Sequence, residues 1–341
     1  MKKLLVLLLV VMAALSLTGC KAKRESLSVY FVPSRDAAQI LEYVAPLADM
    51  LKLELFNLGY DIETIDVQVG TSYEAVGEGM DAGTIDVGFL PGGTYVIYSA
   101  DGNIDVILTA TRAGLSKDFE NAKDWNDGQA TTGDPEFQVG YYRSLVVAGP
   151  STKGVALAAK VNAGTALTWE DVSTAKWCVR SSSSSAGYIY PTIKLNDMFD
   201  KMLSDLPSEN RIQTSGYGAS MAALAAGNCD VATIYADARR DYATAWTTTG
   251  EGGYGRTASI WEETNVIIVT PGIYNDTISI SKVTVDEKLA AALQQAFINL
   301  ISTDAGKAVF AVYSHEGYTI AKDEDYDGER AAQDFLRSLQ S

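Results

Sequence analysis

Short apolar runs and longer amphipathic stretches take turns along this chain from Ser28 onward, which restricts it to folds in which strands and helices succeed one another. Residues 29–32, 62–69, 87–90 and 106–111 read as strands, with helices over 37–58 and 72–80 and another opening over 94–99. Residues 113–138 are rich in Asp, Asn, Thr and Gly and read as an irregular excursion. Regular structure resumes at Tyr141, with strands over 144–148, 177–179 and 230–234 and helices over 189–203 and 219–226. A polar, Gly-rich patch over 247–256 precedes a strand over 266–270 and a long helix over 286–302. The class is α/β, with no internal repeat of fixed period.

The first residues read as an export signal. Met1-Lys2-Lys3 is followed by an apolar stretch over 4–15 and by Leu17-Thr18-Gly19-Cys20. Such a segment is too short for a bilayer core, which takes about 20 helical residues, and it has the layout of a cleaved leader. A cysteine directly after Leu-Thr-Gly resembles the bacterial lipobox, so Cys20 is expected to carry lipid and become the new N-terminus on an extracytoplasmic membrane surface. Removing residues 1–19 leaves about 320 residues, more than one hydrophobic core usually organises. The expected layout is a linker over 20–26, a first lobe over 27–145 and a second lobe over 146–262. Residues 263–341 then return to the first lobe and end in helices. A monomer is expected.

The formal net charge of −16 argues against a nucleic-acid partner, whose phosphates demand basic surface. It leaves a small anion open, because an anion in a closed cleft responds to adjacent amides and hydroxyls more than to bulk charge. Cys178 and Cys229 are the cysteines left to the exported domain, each beside an expected strand. An oxidising compartment permits a disulfide between them; two buried thiols are the alternative.

Four turns where a strand hands over to a helix share one chemistry. Gly70-Thr71-Ser72-Tyr73, Pro91-Gly92-Gly93-Thr94-Tyr95, the five serines Ser181 to Ser185 with Ala186-Gly187, and Gly216-Tyr217-Gly218-Ala219-Ser220 each offer hydroxyls or glycine before a helix. Helix N-termini leave N–H groups unpaired and carry partial positive charge, so small residues there suit an oxyanion. The serine run sits between Lys-Trp-Cys-Val-Arg and an aromatic helix start, which leaves no room for a flexible tether.

Val32-Pro33-Ser34, the run from Ile85 to Tyr95, Tyr142-Arg143-Ser144, the serines before Gly187-Tyr188, and Gly227 to Ala232 together resemble the phosphate/phosphite/phosphonate-binding proteins of ABC importers. The resemblance covers nearly the whole mature chain. It implies a two-lobed type II periplasmic-binding-protein fold, with a hinge and an interlobe ligand cleft. It also implies partnership with an ABC permease and its ATPase, a small oxyanion ligand, no cofactor and no catalysis. Residue by residue, the family's ligand tyrosine falls on Tyr95 and its Ser-Thr-Ser loop on Ser184, Ser185 and Ala186. The family's histidine falls on Tyr217 and its aspartate on Tyr235. Phenols in place of imidazole and carboxylate keep hydroxyl donors while removing charge. The candidate ligand set is therefore Tyr95, Thr94, Ser183, Ser184, Ser185, Tyr217, Tyr235, Thr71 and Ser72. Anion docking is expected near Tyr95 and Thr71-Ser72, with the serine loop swinging in.

Arg112, Arg143 and Arg180 stand at expected strand ends, where a guanidinium can fork onto an anion. Gly250-x-Gly252-x-x-Gly255 fits a dinucleotide pattern formally but lacks a preceding strand. Asp323, Asp325, Asp327, Gly328 and Asp334 approach a calcium loop without its closing glutamate, and read better as an acidic helix cap. A secreted hydrolase is the enzyme-class rival. One histidine, His315, and no nucleophile elbow speak against it. A sulfonate as ligand, or a sensor role beside a receptor, remain alternatives.

Overall fold

The computed structural model describes residues 21–340 and carries two sheets flanked by helices. The strands are β1 (Ala22–Phe31), β2 (Tyr60–Val69), β3 (Val87–Leu90), β4 (Ile104–Leu115), β5 (Gly133–Val139), β6 (Tyr141–Ala148), β7 (Trp177–Val179), β8 (Arg211–Gln213), β9 (Val231–Tyr235), β10 (Asn265–Tyr274), β11 (Thr277–Ser281) and β12 (Gly317–Ile320). The first sheet runs β12-β4-β11-β3-β1-β2 with β5 on β4, and the second runs β10-β6-β9-β7-β8. Each sheet mixes parallel pairs (β1 with β2 and β3; β7 with β8 and β9) with antiparallel ones. This is the two-lobed α/β architecture expected.

Leu27, Val29 and Phe31 of β1, Phe89 of β3 and Leu293, Ala296 and Phe297 of the Glu287–Ile301 helix are all buried in the first lobe's core. Asp286 caps that helix, accepting from Leu289 N at 2.8 Å. In the second lobe, β6 and β9 separate two apolar clusters. Leu145, Ala232 and Ile234 face one side, and Val146, Val231 and Trp177 the other. Cys178 of β7 and Cys229 are joined by a disulfide with Cα atoms 5.7 Å apart.

Several boundaries differ from the sequence reading, each for a local reason. The helix over 37–58 is two helices, Ala37–Val44 and Leu47–Asn57, because Pro46 lacks the N–H that would continue the first. Residues 22–26, expected as linker, extend β1, where Ala22 pairs with Tyr60 and Ser26 with Thr64. Part of the excursion over 113–138 is a ribbon, β4 with β5, whose second strand is mostly exposed and therefore polar. The excursion also buries Trp125, whose indole N–H reaches Phe119 O at 2.9 Å. Gly250, Gly252 and Gly255 all adopt positive φ, so their spacing serves a turn.

The sheets also exchange the chain at points other than 145/146 and 262/263. β6 begins at Tyr141, and β10 pairs antiparallel with β6 in the second sheet rather than returning to the first. The return comes at Asn275, which is fully buried between the crossing segments. Its amide N–H donates to Gly140 O, and its side chain donates to Ala110 O at 2.8 Å and Val139 O at 3.0 Å. One side chain thus ties both crossings, the position a hinge occupies. Cys20 and the leader lie outside the described residues.

Candidate functional site

A small cavity of about 40 Å³ lies between the lobes. Val32, Ser34, Arg35, Tyr73, Arg112, Asp276, Tyr313 and His315 line it from the first lobe; Tyr142, Ser184, Tyr217 and Tyr235 line it from the second. The walls are aromatic and the polar groups are few and convergent, as in sites that hold one small ligand.

The charge comes from β4 and the crossing strand. Arg112 leaves the first sheet where β4 runs on past its partner β11, and its Nη2 meets Asp276 Oδ2 at 2.5 Å. The guanidinium carbon stands 4.6 Å from the Tyr142 ring, while Nε is buried with no hydrogen-bond partner among the described residues. Burial pushes Asp276 up, but Arg112 and His315 outweigh it and hold the carboxyl below its ordinary value. His315 Nε2 is 3.5 Å from Asp276 Oδ2 and Nδ1 is 3.1 Å from the Tyr318 hydroxyl. Burial depresses its pKa, which keeps the ring neutral. On the opposite side Arg35 reaches Asp241 of the second lobe at 2.8 Å, an ion pair across the cleft.

The nine expected ligand residues divide into three groups. Ser184, Tyr217 and Tyr235 line the cavity. Burial raises the pKa of both phenols, so they stay neutral, and the Tyr235 hydroxyl donates to Asp241. Ser184 Oγ caps its own turn, accepting from Gly187 N at 3.2 Å, and stands 3.4 Å from the Tyr217 hydroxyl. Thr94, Ser183 and Ser185 lie where the lobes touch. Gly93 N donates to Ser185 Oγ at 2.9 Å, Thr94 Oγ1 to Ser183 O at 3.3 Å, and Ser183 Oγ to Glu74 at 2.8 Å. Tyr95, Thr71 and Ser72 stand outside the cavity lining. Tyr95 is buried against Tyr326 with its hydroxyl on Asp323 at 2.5 Å, Ser72 caps its helix through Ala75 N at 3.0 Å, and Thr71 is exposed.

At each of the four turns at least one N–H is already taken by a protein oxygen: Ala75 by Ser72, Gly93 by Ser185, Gly187 by Ser184, and Tyr217 by Ser34 O at 3.1 Å. The serine run therefore acts largely as a latch. Ser181 and Ser183 both donate to Glu74. Burial alone would raise that carboxyl, yet these hydroxyls and its backbone bonds hold it low. Gly93 permits the approach, since a Cβ there would lie 2.7 Å from Ser185 Oγ and 2.6 Å from Ile189 Cδ1. These contacts, with Arg35 to Asp241, describe a closed cleft.

Of the three expected arginines, Arg112 is in the cavity. Arg180 lies behind it, with its guanidinium 5.6 Å from the rings of both Tyr73 and Tyr217 and Nη2 on Pro33 O at 3.0 Å. Arg143 pairs with Asp118 at 2.6 Å in the wider mouth. Arg35, Asp276 and His315 went unflagged as site residues. Arg35 directly follows the quoted Val32-Pro33-Ser34 turn. Asp276 and His315 sit in segments without a motif, so only the fold brings them to Arg112.

The chain matches the family described as ABC transporter, phosphonate, periplasmic substrate-binding protein, across residues 29–326. It belongs to that family. Its members are extracytoplasmic binding components of importers rather than enzymes. Among solved structures, the binding-protein component of an ABC phosphonate transporter from Pseudomonas aeruginosa superposes with a TM-score of 0.64 at 12% identity, covering 93% of this chain and 88% of that one. PhnD1 from Prochlorococcus marinus, in complex with methylphosphonate, gives 0.62 at 13%, with 92% and 98% covered. A Xanthomonas citri protein bound to ATP gives 0.62 at 10%, with 93% and 98% covered. At such identities the likeness carries the fold. No match was found among curated proteins. Among the described residues no helix is long and apolar enough to cross a membrane.

Proposed function

We propose that this protein captures a small oxyanion, a phosphonate, phosphite or phosphate, between its lobes and delivers it to a permease with its ATPase. The observation that carries this is the Arg112 guanidinium, whose buried Nε has no partner among the described residues, in a cavity lined by aromatic rings and hydroxyls with Arg35, Asp276 and His315 beside it. Arg112, Ser184, Tyr217 and Tyr235 are the ligand-contacting set, with Arg35 closing over them. Ligand favours the closed state by bridging groups that belong to different lobes, since Arg112 comes from the first and the other three from the second. The Prochlorococcus marinus protein of the same fold, solved with methylphosphonate, supports this ligand class.

Cys20 is proposed as the lipid attachment point, holding a monomer on the extracytoplasmic membrane face; mass spectrometry of the protein purified from membranes tests it. The ligand is tested by calorimetry on the mature protein with phosphate, phosphite, methylphosphonate and methanesulfonate. Saturable one-site binding of a phosphorus oxyanion is expected. Binding of none would remove the proposal, and binding of the sulfonate alone would move the ligand to that class.

A further inference from the structure

We infer that Asp276 makes the cleft selective for an oxyanion that carries its own hydrogen-bond donor, as a singly protonated phosphonate does and a sulfonate does not. The inference rests on the oxyanion reading above. Among the described residues Asp276 is the only carboxylate lining the cavity, and it stands among groups that otherwise suit an anion. Its Oδ2 is engaged by Arg112 and faces His315. Its Oδ1 receives no hydrogen bond from any described residue, although the carboxyl is only 13% exposed. The partners of Asp276 hold it ionised, because its pKa is lowered rather than raised. An ionised carboxylate has acceptors only.

A fully ionised sulfonate also has acceptors only. Placed on Arg112 it would bring an oxygen against Oδ1 with no proton between them, which is electrostatic repulsion in a poorly solvated site. A phosphonate monoanion retains one P–OH. That hydroxyl can donate to Oδ1 while the two charged oxygens accept from Arg112 and from the hydroxyls of Ser184 and Tyr217. Sites that require a donor reject analogues lacking it far more strongly than apolar pockets reject a change of size.

The test is calorimetry at about pH 6, where methylphosphonate is largely the monoanion, with methylphosphonate, methanesulfonate and the monomethyl ester of methylphosphonate. The ester matches the charge and phosphorus centre but has no P–OH. Wild type is expected to bind methylphosphonate at least ~30-fold more tightly than either of the others. Asp276→Asn, which supplies an amide donor, is expected to bring methylphosphonate and methanesulfonate within about threefold, by weakening the first and strengthening the second. Wild type that binds all three equally overturns the inference while leaving the oxyanion reading in place, and this outcome depends on no variant folding. A folded Asp276→Asn that keeps the wild-type ratio also overturns it. If wild type binds none of the three, the oxyanion reading fails and takes this inference with it.

Discussion

The serine loop and the Arg112–Asp276–His315 cluster face each other across the cleft and carry opposite kinds of information. The loop is five consecutive hydroxyls before a helix, conspicuous in sequence, yet Ser184 is the one that lines the cavity. Ser181, Ser183 and Ser185 hold the other lobe. The cluster has no motif at all, its members lying on β4, at the start of β11 and beside β12, and it supplies the charge. A helix end preceded by serines is a good place for an anion, but in a closed two-lobed protein the neighbouring lobe also offers oxygens to that end. Recognition and closure are therefore expected to separate when the two regions are altered one at a time.

The largest effect is expected at the cluster. Arg112→Ala removes the cleft's cation beside Asp276 and leaves that carboxylate facing the ligand, so oxyanion affinity should fall by about 100-fold or more with the fold retained by circular dichroism. An affinity within threefold of wild type would place recognition on the loop instead. Next comes the latch. Gly93→Ala puts a methyl group 2.7 Å from Ser185 Oγ, so closure should weaken and apparent affinity drop by roughly 10- to 30-fold. Small-angle scattering should show a larger radius of gyration with ligand than for liganded wild type. A compact liganded form would show that the contact yields without opening the cleft.

Inside the loop, Ser184→Ala should cost about fivefold in affinity and leave closure intact, the signature of a neutral donor. If Ser184→Ala opens the liganded form in small-angle scattering while Ser183→Ala leaves it as compact as wild type, the division between lining and latch is wrong.

Much of the fold was legible because periodicity reports burial directly. β3, β7 and the Glu287–Ile301 helix lie within a residue of their expected bounds. β10 was misassigned because an apolar run announces a strand but not its partner; pairing with β6 is a contact 126 residues away at Ser144 and Thr270. The cavity lining was legible where a local motif made it, at Ser184 and Tyr217. Tyr95 aligned with a ligand position, but Asp323 offers its hydroxyl an acceptor away from the cleft. Asp276 and His315 were invisible for the converse reason, since topology rather than spacing brings them to Arg112.

The smallest expected effect lies at the C-terminal helix Asp327–Gln340, which adds a third tie between lobes. Glu329 is buried there, accepting from Tyr190 at 2.5 Å and from Ser185 at 3.3 Å. Burial pushes its carboxyl up to about 7, against the pull of those two hydroxyls. Its ordinary value is 4.5, so between pH 4.5 and about 7 the folded protein holds a proton the unfolded chain has released. The stability from this group is fully present below pH 4.5 and is lost as pH rises through about 7. Glu329→Gln should remove that slope, so that the variant's stability in thermal unfolding falls less than wild type's between pH 5 and pH 8. Parallel pH profiles for the two proteins would show that the carboxyl is not protonated in the closed form.

The central claim is that an oxyanion is held by Arg112 in the cleft. Side-by-side calorimetric titration of wild type and Arg112→Ala with methylphosphonate, phosphite and phosphate tests it most directly. The account requires one-site binding of at least one of these by wild type and its near-complete loss in the variant. No heat for any of the three in wild type, or equal binding by both proteins, would contradict it.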